Sequence, residues 1–323
     1  MPPEAQQALL EWYRANARDL PWRRTRDPYR IMVSEIMLQQ TQVDRVIPKY
    51  HAFLEQFPTL AALADAPASE VIRAWAGLGY NRRALNLQRA ARAVVEEFGG
   101  AMPRSVEELR ALPGIGPYTA GAIACFAFEQ DAGFFDTNIR RVLHRVLLGP
   151  EVPQLAVKPR EMHQTAVTSV PSGKGYDWNQ GLIELGALVC RARVASCEVC
   201  PLAAWCVARP MINDVLAEAQ STRVQRRRQG AAVAPTERFE TTSRYFRGRI
   251  VDFLREAPHG LTAAQLASLI DVERTENGWL QPYVDGLVKD GLIVEPGSAG
   301  VAEDGPDYDG ARPQEEPRYA LPE

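Results

Sequence analysis

Leu112-Pro113-Gly114-Ile115-Gly116-Pro117-Tyr118-Thr119-Ala120-Gly121 joins two helical stretches through a loop that carries two glycines. Gly114 and Gly116 open backbone conformations closed to other residues. Pro117 suits the first turn of the following helix, where its missing N–H costs nothing. A glycine loop feeding a helix start aims several backbone N–H groups in one direction. That arrangement can hold a phosphate without reading bases. The same residues also suit a tight turn between two closely packed helices, and one G-x-G does not separate the two readings. Gly121 and Ala122, one turn later, permit close helix packing in either case.

Helical periodicity continues outward from this turn. Residues 2–16 place Leu9, Leu10, Trp12 and Tyr13 on one face. Residues 28–50 carry Ile31, Met32, Ile36, Met37, Val43, Val46 and Ile47, and Pro48 near the end predicts either two helices or one kinked helix. Further stretches cover 60–63, 69–76, 82–98 and 105–112, separated by Pro, Gly or Asp. Alternating strand patterns are nearly absent through residue 210, so the class is mainly α. No internal sequence repeat is present.

The chain has 323 residues, 46% apolar and 24% charged. That composition suits two or three compact units and excludes a largely disordered chain. No apolar run reaches the length of a membrane span. The net charge of −3 hides a split: residues 231–323 hold 9 basic and 17 acidic side chains, residues 1–230 hold 28 and 23. Contact with phosphates is therefore expected mainly from the first two-thirds.

Cys190, Cys197, Cys200 and Cys206 are spaced C-x6-C-x2-C-x5-C. Four thiolates in one short loop can wrap a single metal centre. Structural zinc sites usually come as two C-x2-C knuckles, whereas a lone C-x2-C flanked by single cysteines suits a [4Fe–4S] cubane. Two disulfides would need an oxidising compartment, and Met1 leads straight into an amphipathic stretch without the apolar core of a secretory signal. A reducing, cytoplasmic setting is expected. Cys125, in an apolar helical run, reads as a small buried residue.

Two carboxylates stand out. Glu35 lies in Val33-Ser34-Glu35-Ile36-Met37-Leu38-Gln39-Gln40-Thr41-Gln42, a helix otherwise rich in apolar residues. Burial there would raise its pKa and suit it to donate a proton; a solvated face is the plainer reading. Asp136 precedes Thr137-Asn138-Ile139 and reads as a helix N-cap.

Residues 1–210 resemble the helix-hairpin-helix DNA glycosylases that carry an iron–sulfur cluster, and within them the A/G-specific adenine DNA glycosylases (MutY type). The resemblance rests on Leu20-Pro21-Trp22-Arg23, the segment from Ser34 to Val43, Gly77-Leu78-Gly79-Tyr80, the glycine hairpin, Asp136-Thr137-Asn138, Trp178-Asn179-Gln180 and the cysteine loop, in family order. It implies two helical subdomains plus the cluster loop, and removal of adenine paired with 8-oxoguanine or guanine in double-stranded DNA. Glu35 would protonate the flipped base and help activate water, and Asp136 would stabilise the cationic sugar. Asn138 and Tyr118 would orient that pair. Tyr80 and Gln39, Gln40 and Gln42 would wedge into the stack. Leu112, Gly114, Ile115 and Gly116 would hold one phosphate, and Arg191 and Arg193 another. Tyr118 stands where strand-nicking relatives carry a lysine, and a phenol cannot form an imine, so the resemblance implies a monofunctional enzyme that leaves an abasic site.

The family pattern departs at Asn81, where a second aromatic is common, and after residue 212. A basic segment around Arg223 and Arg226-Arg227-Arg228 reads as a linker over 213–236. Residues 237–323 carry helical patterns over 245–256, 262–270 and 279–290. Leu292-Ile293-Val294 and Tyr319-Ala320-Leu321 could pair across an acidic loop, 303–316, expected to be mobile. That pattern suggests a winged-helix-like domain, in place of the nucleotide-pyrophosphatase-like domain through which the family usually recognises 8-oxoguanine. A thymine or uracil mismatch glycosylase of the same superfamily and a non-catalytic iron–sulfur DNA-binding protein are the alternatives. The Gln39–Gln42 run favours adenine, and nothing in the sequence suggests more than a monomer.

Overall fold

The computed structural model describes residues 1–152, 157–228, 238–272, 274, 276, 278–295 and 316–323. The helices run α1 (Pro3–Asn16), α2 (Pro28–Leu38), α3 (Val43–Gln56), α4 (Leu60–Asp65), α5 (Ala68–Ala74) and α6 (Arg82–Phe98). They continue as α7 (Val106–Ala111), α8 (Pro117–Phe128), α9 (Thr137–Leu147), α10 (Pro159–Ser169), α11 (Gly175–Leu188) and α12 (Ile212–Arg228). The C-terminal part adds α13 (Ser243–Arg255), β1 (Leu261–Thr262), α14 (Ala263–Ile270), α15 (Gln281–Lys289) and β2 (Arg318–Tyr319). The mainly helical class holds. The stretch 28–50 is two helices, and Pro48 lies inside the second. The break comes earlier, at a turn where Gln40 takes a left-handed φ of 55°.

The chain forms two compact units, Met1–Ile36 with Met102–Pro235, and Met37–Ala101 with Thr236–Glu323. In the first, α8 is buried from Thr119 to Ala127, and its small residues let neighbours approach closely. Gly121 is one such point: a Cβ there would lie 2.8 Å from Cβ of Phe134. Helix α11 packs on α1 and α9, burying Trp178, Leu182 and Leu185. Burying a large apolar side chain of this kind contributes about 1.5–3 kcal/mol.

Residues 213–228, the first part of the segment read as a linker, continue the fold within α12. Ile212 and Leu216 lie four residues apart and join Ala195 and Ala208 in an apolar cluster under the cysteine loop. Residues 229–236, the rest of that segment, lie outside the described residues.

In the second unit, α4 and α5 pack on α6. The C-terminal helices extend the same core: Ala68, Ile72 and Leu85 cluster with Ile250, Leu254, Leu266 and Leu287. Thr262 caps α14 through a capping box with Gln265, a device that contributes about 1 kcal/mol. The expected pairing near the end is present as a bridge between Val294 and Ala320. Strand β2 also pairs antiparallel with β1, Leu261 opposite Tyr319. Neither two-residue strand is long enough to leave an alternating pattern. Among the described residues the order is helix, strand, helix, helix, strand, with Val294 bridging to Ala320 just beyond β2. Residues 303–315 of the acidic loop lie outside the described residues.

Candidate active site

Glu35 sits on α2 among Ile31, Met32, Val33, Ile36 and Met37, all buried, and is itself only 5% exposed. Burial pushes its carboxyl up from 4.5 to about 7, and negative Asp136 adds to the rise. A hydrogen bond from Tyr118 and the nearby Arg23 guanidinium act in the opposite sense. Tyr118 is the second residue of α8, directly after the glycine turn, and its ring packs edge-on against Phe134 at 5.4 Å. Burial drives the Tyr118 phenol well above its ordinary value, so it donates. The result is a carboxyl group poised to release a proton at neutral pH.

Asp136 is the N-cap of α9, as its sequence setting indicated. One carboxylate oxygen accepts from the backbone N–H of Asn138 at 2.8 Å and of Ile139 at 2.7 Å. The other accepts from the Asn138 side-chain amide at 2.9 Å. Asn138 in turn accepts from Arg141 Nη2 at 2.7 Å. Arg141 also donates to the carbonyl of Gly186 at 2.6 Å and, through Nε, to the carbonyl of Cys190 at 2.7 Å. A continuous set of hydrogen bonds therefore runs from the first cysteine of the loop to Asp136.

The four loop cysteines carry free thiols and line one cavity with Arg145 and Arg209. Burial pushes Cys200 up to about 12 and raises Cys197 and Cys206, and the neighbouring cysteines add to each rise. Thiols in this setting ionise only against compensating positive charge. Arg145 supplies part of it. It is 1% exposed, is clamped by Glu151 at 2.6 and 2.7 Å, and approaches Cys190 Sγ at 3.5 Å. Cys190, Cys197, Cys200 and Cys206 bring four thiol donors to one loop, a donor set that fits a metal centre held by thiolates. Arg191 and Arg193 lie exposed on this loop.

In the glycine hairpin, Ser105 and Glu108 form the capping box that starts α7. Leu112 and Ile115 are buried, at 3% and 5%, and their backbone N–H groups donate to the carbonyls of Leu109 and Leu112, so both residues are engaged within the turn. Gly114 takes φ 76° and Gly116 is the N-cap of α8, without a side-chain cap. A glycine turn leading into a helix start is the kind of element that can meet an anion.

In the other unit, Arg83 gathers the two loops bearing the remaining expected contacts. It donates to the carbonyls of Met37 at 3.0 Å and Gln39 at 2.6 Å, and to Thr41 Oγ1 at 3.2 Å. It also donates to the carbonyls of Leu78 and Gly79, both at 3.1 Å. Gln40 and Gln42 are exposed, and Gln39 is half-buried. Tyr80 is 41% exposed and holds a left-handed φ of 48°, a strained conformation for a tyrosine. The sequence reading named none of Arg83, Arg141 and Arg145.

Residues 33–164 match the HhH-GPD superfamily of base excision DNA repair proteins. The adenine DNA glycosylase of Mycolicibacterium smegmatis is 39% identical over 284 residues, 87% of this chain and 91% of that protein. The chain belongs to the adenine DNA glycosylase family. The adenine DNA glycosylase of Homo sapiens is 45% identical over 216 residues, 64% of this chain and 40% of that protein. A thermostable thymine-DNA glycosylase structure is similar at a TM-score of 0.59 and 33% identity, over 64% of this chain and 94% of that one. A match of 284 residues does not fit within 1–212, so the likeness to the M. smegmatis adenine DNA glycosylase continues into the C-terminal part, beyond the motifs legible in the sequence.

Proposed function

We propose that this chain releases adenine mispaired with 8-oxoguanine or guanine in double-stranded DNA, leaving an abasic site and an intact strand. The supporting observation is the buried Glu35 carboxyl, near neutrality, bonded to Tyr118 and electrostatically coupled to Asp136, in a chain of the adenine DNA glycosylase family. Release of a base from a duplex requires the nucleotide to leave the stack. Glu35 passes its proton to the departing adenine as the N-glycosidic bond breaks, and water then adds to the sugar, returning a proton to the Glu35 carboxylate. Asp136 faces the developing positive charge with a carboxylate fixed by three N–H donors. Tyr118 replaces the amine that a strand-cutting enzyme would need, so no Schiff base forms.

Cys190, Cys197, Cys200 and Cys206 would hold a [4Fe–4S] cluster, whose chemistry here is to staple the loop bearing Arg191 and Arg193. No described helix is long and apolar enough to cross a membrane. The reading is of a cytoplasmic, nucleoid-associated monomer.

The test is incubation with duplexes holding A:8-oxoguanine, A:G, T:G or U:G, followed by alkali. Scission at adenine only after alkali supports the proposal. Scission at thymine or uracil transfers the chain to pyrimidine release, the activity named for the structure similar at 33% identity. Scission without alkali, at the rate of base release, removes the monofunctional assignment.

A further inference from the structure

Tyr80 has partners from the C-terminal part of its own unit. Arg244, at the start of α13, donates to the Tyr80 hydroxyl at 2.7 Å. Its guanidinium carbon lies 4.7 Å from the Tyr80 ring centroid and 5.2 Å from that of Phe239. A planar cation is thus bracketed by two aromatic rings, 41% and 50% exposed. The next residue is tied down as well: Arg255, at the end of α13, donates to Asn81 Oδ1 at 2.9 Å and to the carbonyl of Ile72 at 3.1 Å. Both ends of α13 therefore grip the loop that carries Tyr80. The acidic balance of the C-terminal third does not extend here. Residues 238–255 hold five arginines against Glu240 and Asp252.

We propose that Arg244 and Phe239 complete a stacking platform with Tyr80, and that this platform receives the base left unpaired opposite the excised adenine. The inference rests on the DNA glycosylase reading and gives the C-terminal domain a part in the DNA interface. Exposed aromatic rings stack with any base, and a guanidinium plane does the same while opposing phosphate charge. The hydrogen bond from Arg244 fixes the ring that would enter the duplex, so the left-handed Tyr80 backbone is held before DNA arrives.

The test uses the full-length protein and measures binding to an A:G duplex and to a fully paired duplex of equal length. Arg244→Ala and Phe239→Ala are each expected to weaken A:G binding by roughly tenfold or more, with binding to the paired duplex within about twofold of the parent. Arg244→Lys, which keeps the charge but not the plane, is expected not to restore binding. The double variant Tyr80→Ala with Arg244→Ala is expected to bind no worse than Tyr80→Ala alone. Equal losses on both duplexes, restored by lysine, would reduce Arg244 to a phosphate contact and overturn the platform. Unchanged A:G binding in both single variants would overturn it too. If the parent protein itself shows no preference for the A:G duplex, the glycosylase reading fails first and the platform with it.

Discussion

The Tyr118 hydroxyl donates a hydrogen bond to the Glu35 carboxyl, tying the glycine turn to the proton donor on α2. This contact lowers the Glu35 pKa against the stronger opposing pull of burial. Tyr118→Phe keeps the ring against Phe134 and removes only that bond. Single-turnover adenine release is expected to fall about tenfold, the scale of a lost hydrogen bond to a charged group. The alkaline limb of its pH profile should move upward. A limb that stays in place would show that the bond does not set the donor's titration.

Arg141 connects the carbonyl of Cys190 to Asn138, and Asn138 connects to Asp136. Removing a residue that orients a catalytic group typically costs about 10–100-fold. Arg141→Ala is expected to lose that much in the rate of base release, with duplex affinity nearly unchanged. Gly186→Ala should act through the same contact, since a Cβ there would lie 2.6 Å from Cβ of Asn138. Rates within twofold of the parent for both variants would dissociate the cysteine loop from Asp136.

Local signals were legible in the sequence: the cap at Asp136 by the turn it starts, the cysteines by their spacing, and the apolar surroundings of Glu35 by its neighbours on one helix, while the roles expected of Glu35 and Asp136 came from the family resemblance and not from these signals. The arginines were not legible. Arg83 reaches the carbonyl of Gln39, Arg141 that of Cys190 and Arg145 that of Arg191, each more than forty residues away and each a backbone acceptor without side-chain identity. Arg244 escaped for another reason: the acidic total of its segment masked one basic helix. Helix α12 was missed because the arginines near its end outweighed Ile212 and Leu216 in the reading of composition.

Glu35 also has a stability signature. Its folded-state pKa lies above its unfolded value, so its favourable contribution is complete below about pH 4.5 and is lost as pH rises through about 7. A shift from 4.5 to about 7 corresponds to about 3 kcal/mol. Glu35→Gln is therefore expected to unfold at higher temperature than the parent at pH 8, and at nearly the same temperature at pH 4.5. Equal melting temperatures at pH 8 would mean that the carboxyl is not buried as described.

Cys200→Ser should abolish the visible absorption of the purified protein and leave buried Arg145 facing fewer thiolates. Its melting temperature should fall, and duplex binding through Arg191 and Arg193 should weaken. A parent protein that is colourless but holds one zinc ion per chain would replace the iron–sulfur assignment with zinc.

The most direct measurement is the rate of adenine release from an A:8-oxoguanine duplex as a function of pH, for the parent and for Glu35→Gln. The parent rate should decline as pH rises through about 7, following loss of the proton from Glu35. Glu35→Gln should bind the duplex and release no base. Release by Glu35→Gln within tenfold of the parent, or a parent rate flat from pH 5 to 9, would contradict the role given to this carboxyl.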